Sequence, residues 1–261
     1  MTPLVETEST KDLLAERIAA RVNEVLVEAQ QQRGRASIAL TGGSMGIAVV
    51  AALAASTRTG EFVPDWSRVD LWWSDERFLP DGDLERNAQQ AADVSDRFAL
   101  LVNLPPENVH VMGDSDRFNT PEEAAEDYIA ELRAAARAEN AEGDFPTFDV
   151  ALLGMGPDGH VASIFPGREE TQIEEPTIIA VRDSPKPPPL RVSMTLPLIS
   201  TANHVWYVVA GAEKAEAAGR LLKGTPALET PACGVSGRIS TVLFATPDAV
   251  PAQDDETPTP N

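Results

Sequence analysis

The sequence predicts an α/β protein, a three-layer, doubly wound, mostly parallel sheet in a single domain. Three observations carry that prediction. Short apolar runs alternate with helix-patterned stretches along most of the chain. The runs are apolar throughout, as in strands covered on both faces. Several of them break into a glycine or charged turn directly before a helix, the opening of a strand–turn–helix unit. A length of 261 residues suits one such domain. At that size folding buries roughly 70–75% of the unfolded surface, so the core needs no disulfide or metal staple.

Ser9-Thr10 precede an amphipathic stretch from Lys11 to Arg33, in which Leu13, Leu14, Ile18, Val22, Val25 and Leu26 recur at helical spacing and Gly34 supplies the stop. Residues 36–41 read as a short buried strand that breaks at Gly42-Gly43-Ser44, and an Ala-rich helix follows to about Ser56. Val69–Trp73 is a strand running into Ser74-Asp75-Glu76-Arg77, with a helix expected over about 86–97. Residues 109–112 read as a short strand, and Pro121 opens a helix to about 140. Residues 148–153 form an apolar strand ending in Gly154-Met155-Gly156-Pro157-Asp158-Gly159-His160. Later strands are expected at 177–181, 191–196, 205–210 and 241–245, with a helix at about 213–222. The folded domain covers 1–246. Residues 247–261 are acidic and rich in Pro and Thr, a composition expected to be disordered, and 184–190 (Ser-Pro-Lys-Pro-Pro-Pro-Leu) is a stiff, polyproline-like loop.

The charge narrows the function. Lys and Arg number 21 against 41 Asp and Glu, a formal charge of −20. Such a chain repels phosphate backbones and anionic membrane surfaces, which argues against nucleic-acid or lipid partners. A small anion remains possible, because a few cations can converge in one cleft. The single Cys233 excludes an internal disulfide and a multi-cysteine zinc cage. No apolar run reaches the roughly 18 residues of a membrane span, so the expectation is a cytoplasmic protein, a monomer or small homo-oligomer.

In open parallel sheets ligands bind beyond the carboxyl ends of the strands, and four unusual loops fall at such ends: 41–46, 74–87, 154–160 and 183–191. Gly42, Gly43 and Ser44 offer backbone N–H groups at a helix start, an anion site, although an ordinary capped turn would look the same. Arg77 is placed to grip an anion bidentately, or to join a surface ion-pair cluster with Asp75 and Glu76. Asn87 is a candidate for a sugar hydroxyl, or for a helix cap. The turn at 154–160 holds three glycines and sets an imidazole, His160, at a strand end, where a neutral histidine can act as general base near pH 7. His110 and His204 flank ordinary strands and read as structural. Only four lysines occur; Lys186 lies in the proline-rich loop shortly before Arg191, and Lys214 follows Gly211 at a strand's carboxyl end.

Together, Asp75-Glu76-Arg77 with Asn87, Gly154-Met-Gly-Pro-Asp-Gly-His-Val-Ala-Ser-Ile-Phe-Pro166, the Pro-Lys-Pro-Pro-Pro loop leading to Arg191, and Gly211-x-x-Lys214 resemble the 6-phosphogluconolactonase family, in the same order over about residues 36–224. The resemblance implies an enzyme of the oxidative pentose phosphate pathway that hydrolyses 6-phospho-D-glucono-1,5-lactone to 6-phosphogluconate with no metal or organic cofactor. It implies a catalytic His160 assisted by Asp158 or Asp75. Gly42, Gly43, Ser44, Arg77, Asn87, Gly156, Lys186, Arg191 and Lys214 would line the substrate site, with the four cations grouped around His160. One departure stands out: Met45-Gly46 replaces the family's usual Thr-Pro, which puts any ligand contact by the side chain at 45 in doubt.

Two rivals follow from the same fold. Glucosamine-6-phosphate deaminases have a similar Asp-Gly-His turn, typically followed by Phe-Asn-Glu-Pro; here Ser163-Ile164-Phe165-Pro166 stands there, and no acid occurs until Glu169. A non-catalytic sugar-phosphate-binding regulator would usually carry a DNA-binding helix pair, which the short N-terminal lead and the charge disfavour.

Overall fold

The computed structural model describes residues 2–56, 62–91, 104–139, 141 and 143–251. Thr10 caps the first helix, α1 (Lys11–Arg33), by accepting from Leu13 N, and Gly34 ends it in the left-handed region at φ +79°. Next come β2 (Ala36–Leu40), α2 (Gly43–Ser56) and β3 (Val69–Trp73). The second half supplies α3 (Pro121–Glu139), β5 (Val150–Leu153), β8 (His204–Val209), α5 (Ala215–Lys223) and β9 (Ser240–Ala245).

Together with an edge strand, β1 (Leu4–Thr7), these strands build one parallel sheet in the order β1-β9-β8-β5-β2-β3. Strand alternation sends neighbouring residues to opposite faces, and both faces are apolar. Ile38, Leu40, Leu71, Trp73, Val150, Leu152, Trp206 and Phe244 pack into one core with α1 and α2. Ala39, Trp72, Ala151, Leu153, Val205, Tyr207 and Leu243 pack into the other with α3 and α5. That two-sided burial is why the strands read as unbroken apolar runs. The winding reverses between β2, which leads outward to β3, and β5, which leads to β8 and β9. A crevice therefore opens beyond the carboxyl ends of β2 and β5.

Several expectations need correction. The edge strand β1 (Leu4–Thr7) lies in the polar lead and draws its conformation from parallel pairing with β9. Asp75–Arg77 is no loop but a strand, β4, of a second, antiparallel sheet ordered β4-β7-β6. That sheet also takes β6 (Ile178–Val181) and β7 (Arg191–Met194), expected in the parallel sheet. Strand β7 stops early because Thr195 caps a short helix, α4 (Leu196–Ile199), by accepting from Leu198 N. Residues 109–112 are not a strand: Val109 makes one bridge to Leu71, and the Met112 carbonyl is taken by Arg86 Nη2 at 2.7 Å. The helix expected over 86–97 is seen over 87–91, and 92–97 lie outside the described residues. Pro247–Ala249 form a helical turn with Ala249 fully buried, so the chain stays docked past residue 246, while 252–261 lie outside the described residues.

Candidate active site

A cleft of about 240 Å³ occupies the crevice at the reversal of winding. One wall is the turn after β2. Gly43 adopts φ +75°, and a side chain at Gly42 would collide with the Asn87 carboxamide that packs on it. Thr41 Oγ1 accepts from Gly154 N at 3.2 Å, tying this turn to the one after β5. The Met45 side chain lies in the core against α1 and the sheet while also bordering the cleft. Position 45 thus offers a ligand an apolar surface and no hydroxyl. Ser44 is exposed at the rim.

The turn after β5 closes on itself through Gly156 N to His160 O at 3.0 Å and Gly159 N to Gly156 O at 2.9 Å. Gly159 takes φ +88°, which only glycine adopts without strain. Asp158 and His160 fold back over Gly156, where any side chain would strike both. The His160 Nδ1 lies 2.5 Å from Asp158 Oδ1, and Lys186 Nζ lies 3.3 Å from that oxygen and 3.2 Å from Nδ1. An ionised carboxylate only accepts hydrogen bonds, so its contact with the ring assigns the proton to Nδ1, with Nδ1–H and Lys186 both donating to Asp158. This leaves Nε2 as the basic nitrogen, with no protein partner among the described residues. Phe165 stacks on the imidazole at 4.6 Å between centroids and fixes the ring plane. Partial burial resists ionisation of Asp158, but the hydrogen bond and charge of His160, reinforced by Lys186, outweigh it and hold the carboxyl far below the usual carboxylate range.

The small sheet supplies the opposite wall. Its register sets Arg77 beside Arg191 and Asp75 beside Ser193. Asp75 does not reach His160: Oδ2 accepts from Ser163 Oγ at 2.7 Å, and the Asn87 amide nitrogen donates to its carbonyl at 2.8 Å and to Oδ1 at 3.3 Å. With Asn87 Nδ2 committed, Asn87 Oδ1 is a buried acceptor without a protein partner among the described residues, as Arg77 Nε is a donor. Arg77 Nη1 is held by the Glu85 carbonyl. Arg191 is almost fully buried and donates from Nε and Nη2 to the carbonyls of Lys186, Pro187 and Pro188, with Nη1 3.4 Å from Ser163 Oγ. Most of its guanidinium pins the 186–188 loop that carries Lys186. Lys214 borders the cleft from the segment after β8; burial lowers its pKa, and nearby Lys186 lowers it further against the opposing Glu213.

The structure thus brings Gly42, Gly43, Ser44, Asp75, Arg77, Asn87, Gly156, His160, Arg191 and Lys214 around one cleft, with Asp158 and Lys186 in contact with His160. Three contributors escaped the sequence reading. Thr41 couples the two turns, Ser163 links Asp75 to Arg191, and Glu76 lies buried behind the cleft. Ser163 stood inside the recognised 154–166 segment, which was its only sequence signal. The chemistry available is removal of a proton from water by a charge-oriented imidazole, beside cations able to hold an anionic substrate.

Known proteins resemble this chain over most of its length. Residues 9–244 match the family model described as glucosamine-6-phosphate isomerases/6-phosphogluconolactonase. A 6-phosphogluconolactonase of Streptomyces coelicolor is 46% identical over 245 residues, 92% of this chain and 91% of that one. A 6-phosphogluconolactonase crystal structure from Thermotoga maritima superposes with a TM-score of 0.76 at 27% identity, covering 94% of this chain and 99% of that one. A monomeric glucosamine-6-phosphate deaminase reaches a TM-score of 0.72 at 18% identity over 94% and 98% of the two chains, a likeness of fold alone.

Proposed function

The chain belongs to the glucosamine-6-phosphate isomerase/6-phosphogluconolactonase family, and we propose that it hydrolyses 6-phospho-D-glucono-1,5-lactone to 6-phosphogluconate, as a cytoplasmic enzyme of the oxidative pentose phosphate pathway. The observation that supports this most is the Asp158–His160 pair, which turns a basic Nε2 toward a cleft bordered by Arg77, Arg191 and Lys214. The identity of the Streptomyces lactonase over most of both chains supports the substrate.

In this reading His160 Nε2 takes a proton from water as the oxygen attacks the lactone carbonyl carbon. The imidazolium so formed is stabilised by the Asp158 carboxylate, as in a hydrolase triad. The tetrahedral intermediate collapses by breaking the bond from that carbon to the ring oxygen, and the ring oxygen receives the proton from Nε2. The product is a hydroxy acid whose carboxyl ionises at neutral pH. Backbone N–H groups of the glycine turns, or a cation of the opposite wall, meet the oxyanion. Arg77, Lys186 and Lys214 hold the 6-phosphate; Arg191 contributes its field and its grip on the Lys186 loop. The segment Ser163–Pro166 supports lactonase over deaminase chemistry, since Ser163 is spent on Asp75 and Phe165 on the imidazole. No carboxylate of that segment is available for ring opening.

The test is a lactonase assay corrected for spontaneous hydrolysis, run beside His160→Ala. Removing the base should lower turnover by ~10²–10⁴-fold in a protein that stays folded. Near-wild-type turnover in that variant would sink the role of His160.

A further inference from the structure

Between Asp75 and Arg77, whose side chains face the cleft, strand alternation sends Glu76 the other way, where it is completely buried. A buried carboxylate is costly unless its lone pairs are filled, and here three backbone donors fill them. Glu76 Oε1 accepts from Arg77 N at 2.7 Å and Asn87 N at 2.6 Å, and Oε2 accepts from Ala88 N at 2.9 Å. The Arg86 guanidinium stands 3.9 Å from Oε2. One carboxylate therefore clamps β4 to the helical turn at 87–91. Two of the three residues it grips through their own N–H groups, Arg77 and Asn87, carry the two buried polar side-chain atoms of the cleft that lack a protein partner among the described residues, Arg77 Nε and Asn87 Oδ1.

We propose that Glu76 is a positioning residue for substrate binding: it aims the Arg77 donor and the Asn87 acceptor at the sugar phosphate without touching it. The inference rests on the lactonase reading above and deepens it. The geometry separates two jobs. His160 and Asp158 belong to the turn after β5 and have no bond to Glu76, so the proton chemistry should be indifferent to it. Arg77 and Asn87 bind ground state and transition state alike, so misaligning them should raise KM and leave kcat in place.

Glu76→Gln keeps the shape but turns an amide N–H toward a backbone N–H, so at least one hydrogen bond is lost. The expected result is a folded enzyme whose KM for the lactone rises about tenfold or more, the worth of one charged hydrogen bond, with kcat and its pH profile retained. Calorimetric binding of 6-phosphogluconate should weaken by the same factor. Asp149→Asn is the matched control, because Asp149 is equally buried but lies at the amino end of β5, bonded to Arg33 and Ser37 N. It should lose stability without a change in KM. Should Glu76→Gln fail to fold, Glu76→Asp, which keeps the charge on a shorter arm, carries the same measurements. An unchanged KM in a folded variant, a loss confined to kcat, or the same KM rise in Asp149→Asn overturns the proposal, and failure of both Glu76 variants to fold overturns it in favour of a purely structural role. A wild-type protein that neither hydrolyses the lactone nor binds 6-phosphogluconate overturns the lactonase reading and this one with it.

Discussion

Two histidines in this protein hydrogen-bond to carboxylates, and they differ in what becomes of the second ring nitrogen. His160 meets Asp158 with Nδ1 at 2.5 Å and leaves Nε2 to the cleft. His110 spends both nitrogens, Nδ1 on Glu131 at 2.6 Å and Nε2 on Asp70 at 3.2 Å, and lies flat against Trp72 with 3.7 Å between ring centroids. Burial alone would drive the proton off His110, but the two carboxylates outweigh it and raise its pKa. The result is a cross-link between Asp70 of β3 and Glu131 of α3 through the imidazole. A carboxylate partner therefore does not mark a catalytic histidine. What sets His160 apart, and supports the role proposed for it, is a second nitrogen left without a protein partner among the described residues, at a strand end where a ligand can reach it.

The comparison can be broken most sharply at Asp158. Asp158→Asn keeps the size of the side chain but no longer favours Nδ1–H or stabilises the imidazolium, so turnover should fall by up to about 10⁴-fold, comparable to loss of the base itself. A turnover close to wild type would place Asp158 outside the machinery. Lys186→Met removes one donor from the same carboxylate oxygen and one cation from the site; kcat/KM should fall by roughly 10–10²-fold, the worth of a charged hydrogen bond, and progress curves at low substrate would show it. At the other histidine the kinetics should not move. His110→Ala should leave kcat and KM as they are while costing about 1–3 kcal/mol in a denaturant titration, because Asp70 and Glu131 lose a buried partner. A large kinetic effect there would erase the distinction.

The two sites also differ in the direction of their pH dependence. His110 has a folded pKa above its unfolded value of 6.5, so its contribution to stability is complete below about pH 6.5 and fades as pH rises through the raised value. Asp158 is depressed from 3.8, so its contribution is complete above about pH 3.8 and is lost as pH falls through the depressed value. The stability gap between wild type and His110→Ala should therefore be widest in mild acid and narrow as pH rises; a difference that grows with pH would reverse the assignment.

Apart from β1, the large sheet was readable in the chain because its strands are buried on both faces, and the turns at 41–46 and 154–160 because glycines interrupt them. The small sheet was not. Asp75-Glu76-Arg77 carries three charges and no apolar pattern, and it becomes a strand only because β7 arrives from more than a hundred residues later to pair with it. Its side chains were then hard to sort. Asp75 and Asp158 were equal candidates to orient the imidazole until distance separated them, and Arg191 read as a phosphate ligand because nothing in sequence shows three loop carbonyls converging on it. The Met45 substitution was visible, but its burial was a property of the packed core.

The edge strand β1 has a consequence for the life of the protein in a crowded solution. Without it, β9 would offer a six-residue margin of unpaired backbone carrying Val242, Leu243 and Phe244, the kind of template onto which another chain adds. The strand that covers it is four residues long, and Glu6 within it and Glu8 just after it are held by Arg17 and Arg21 of α1. A short strip tied to α1 by ion pairs thus stands where the sheet would otherwise present the longer, more apolar edge of β9.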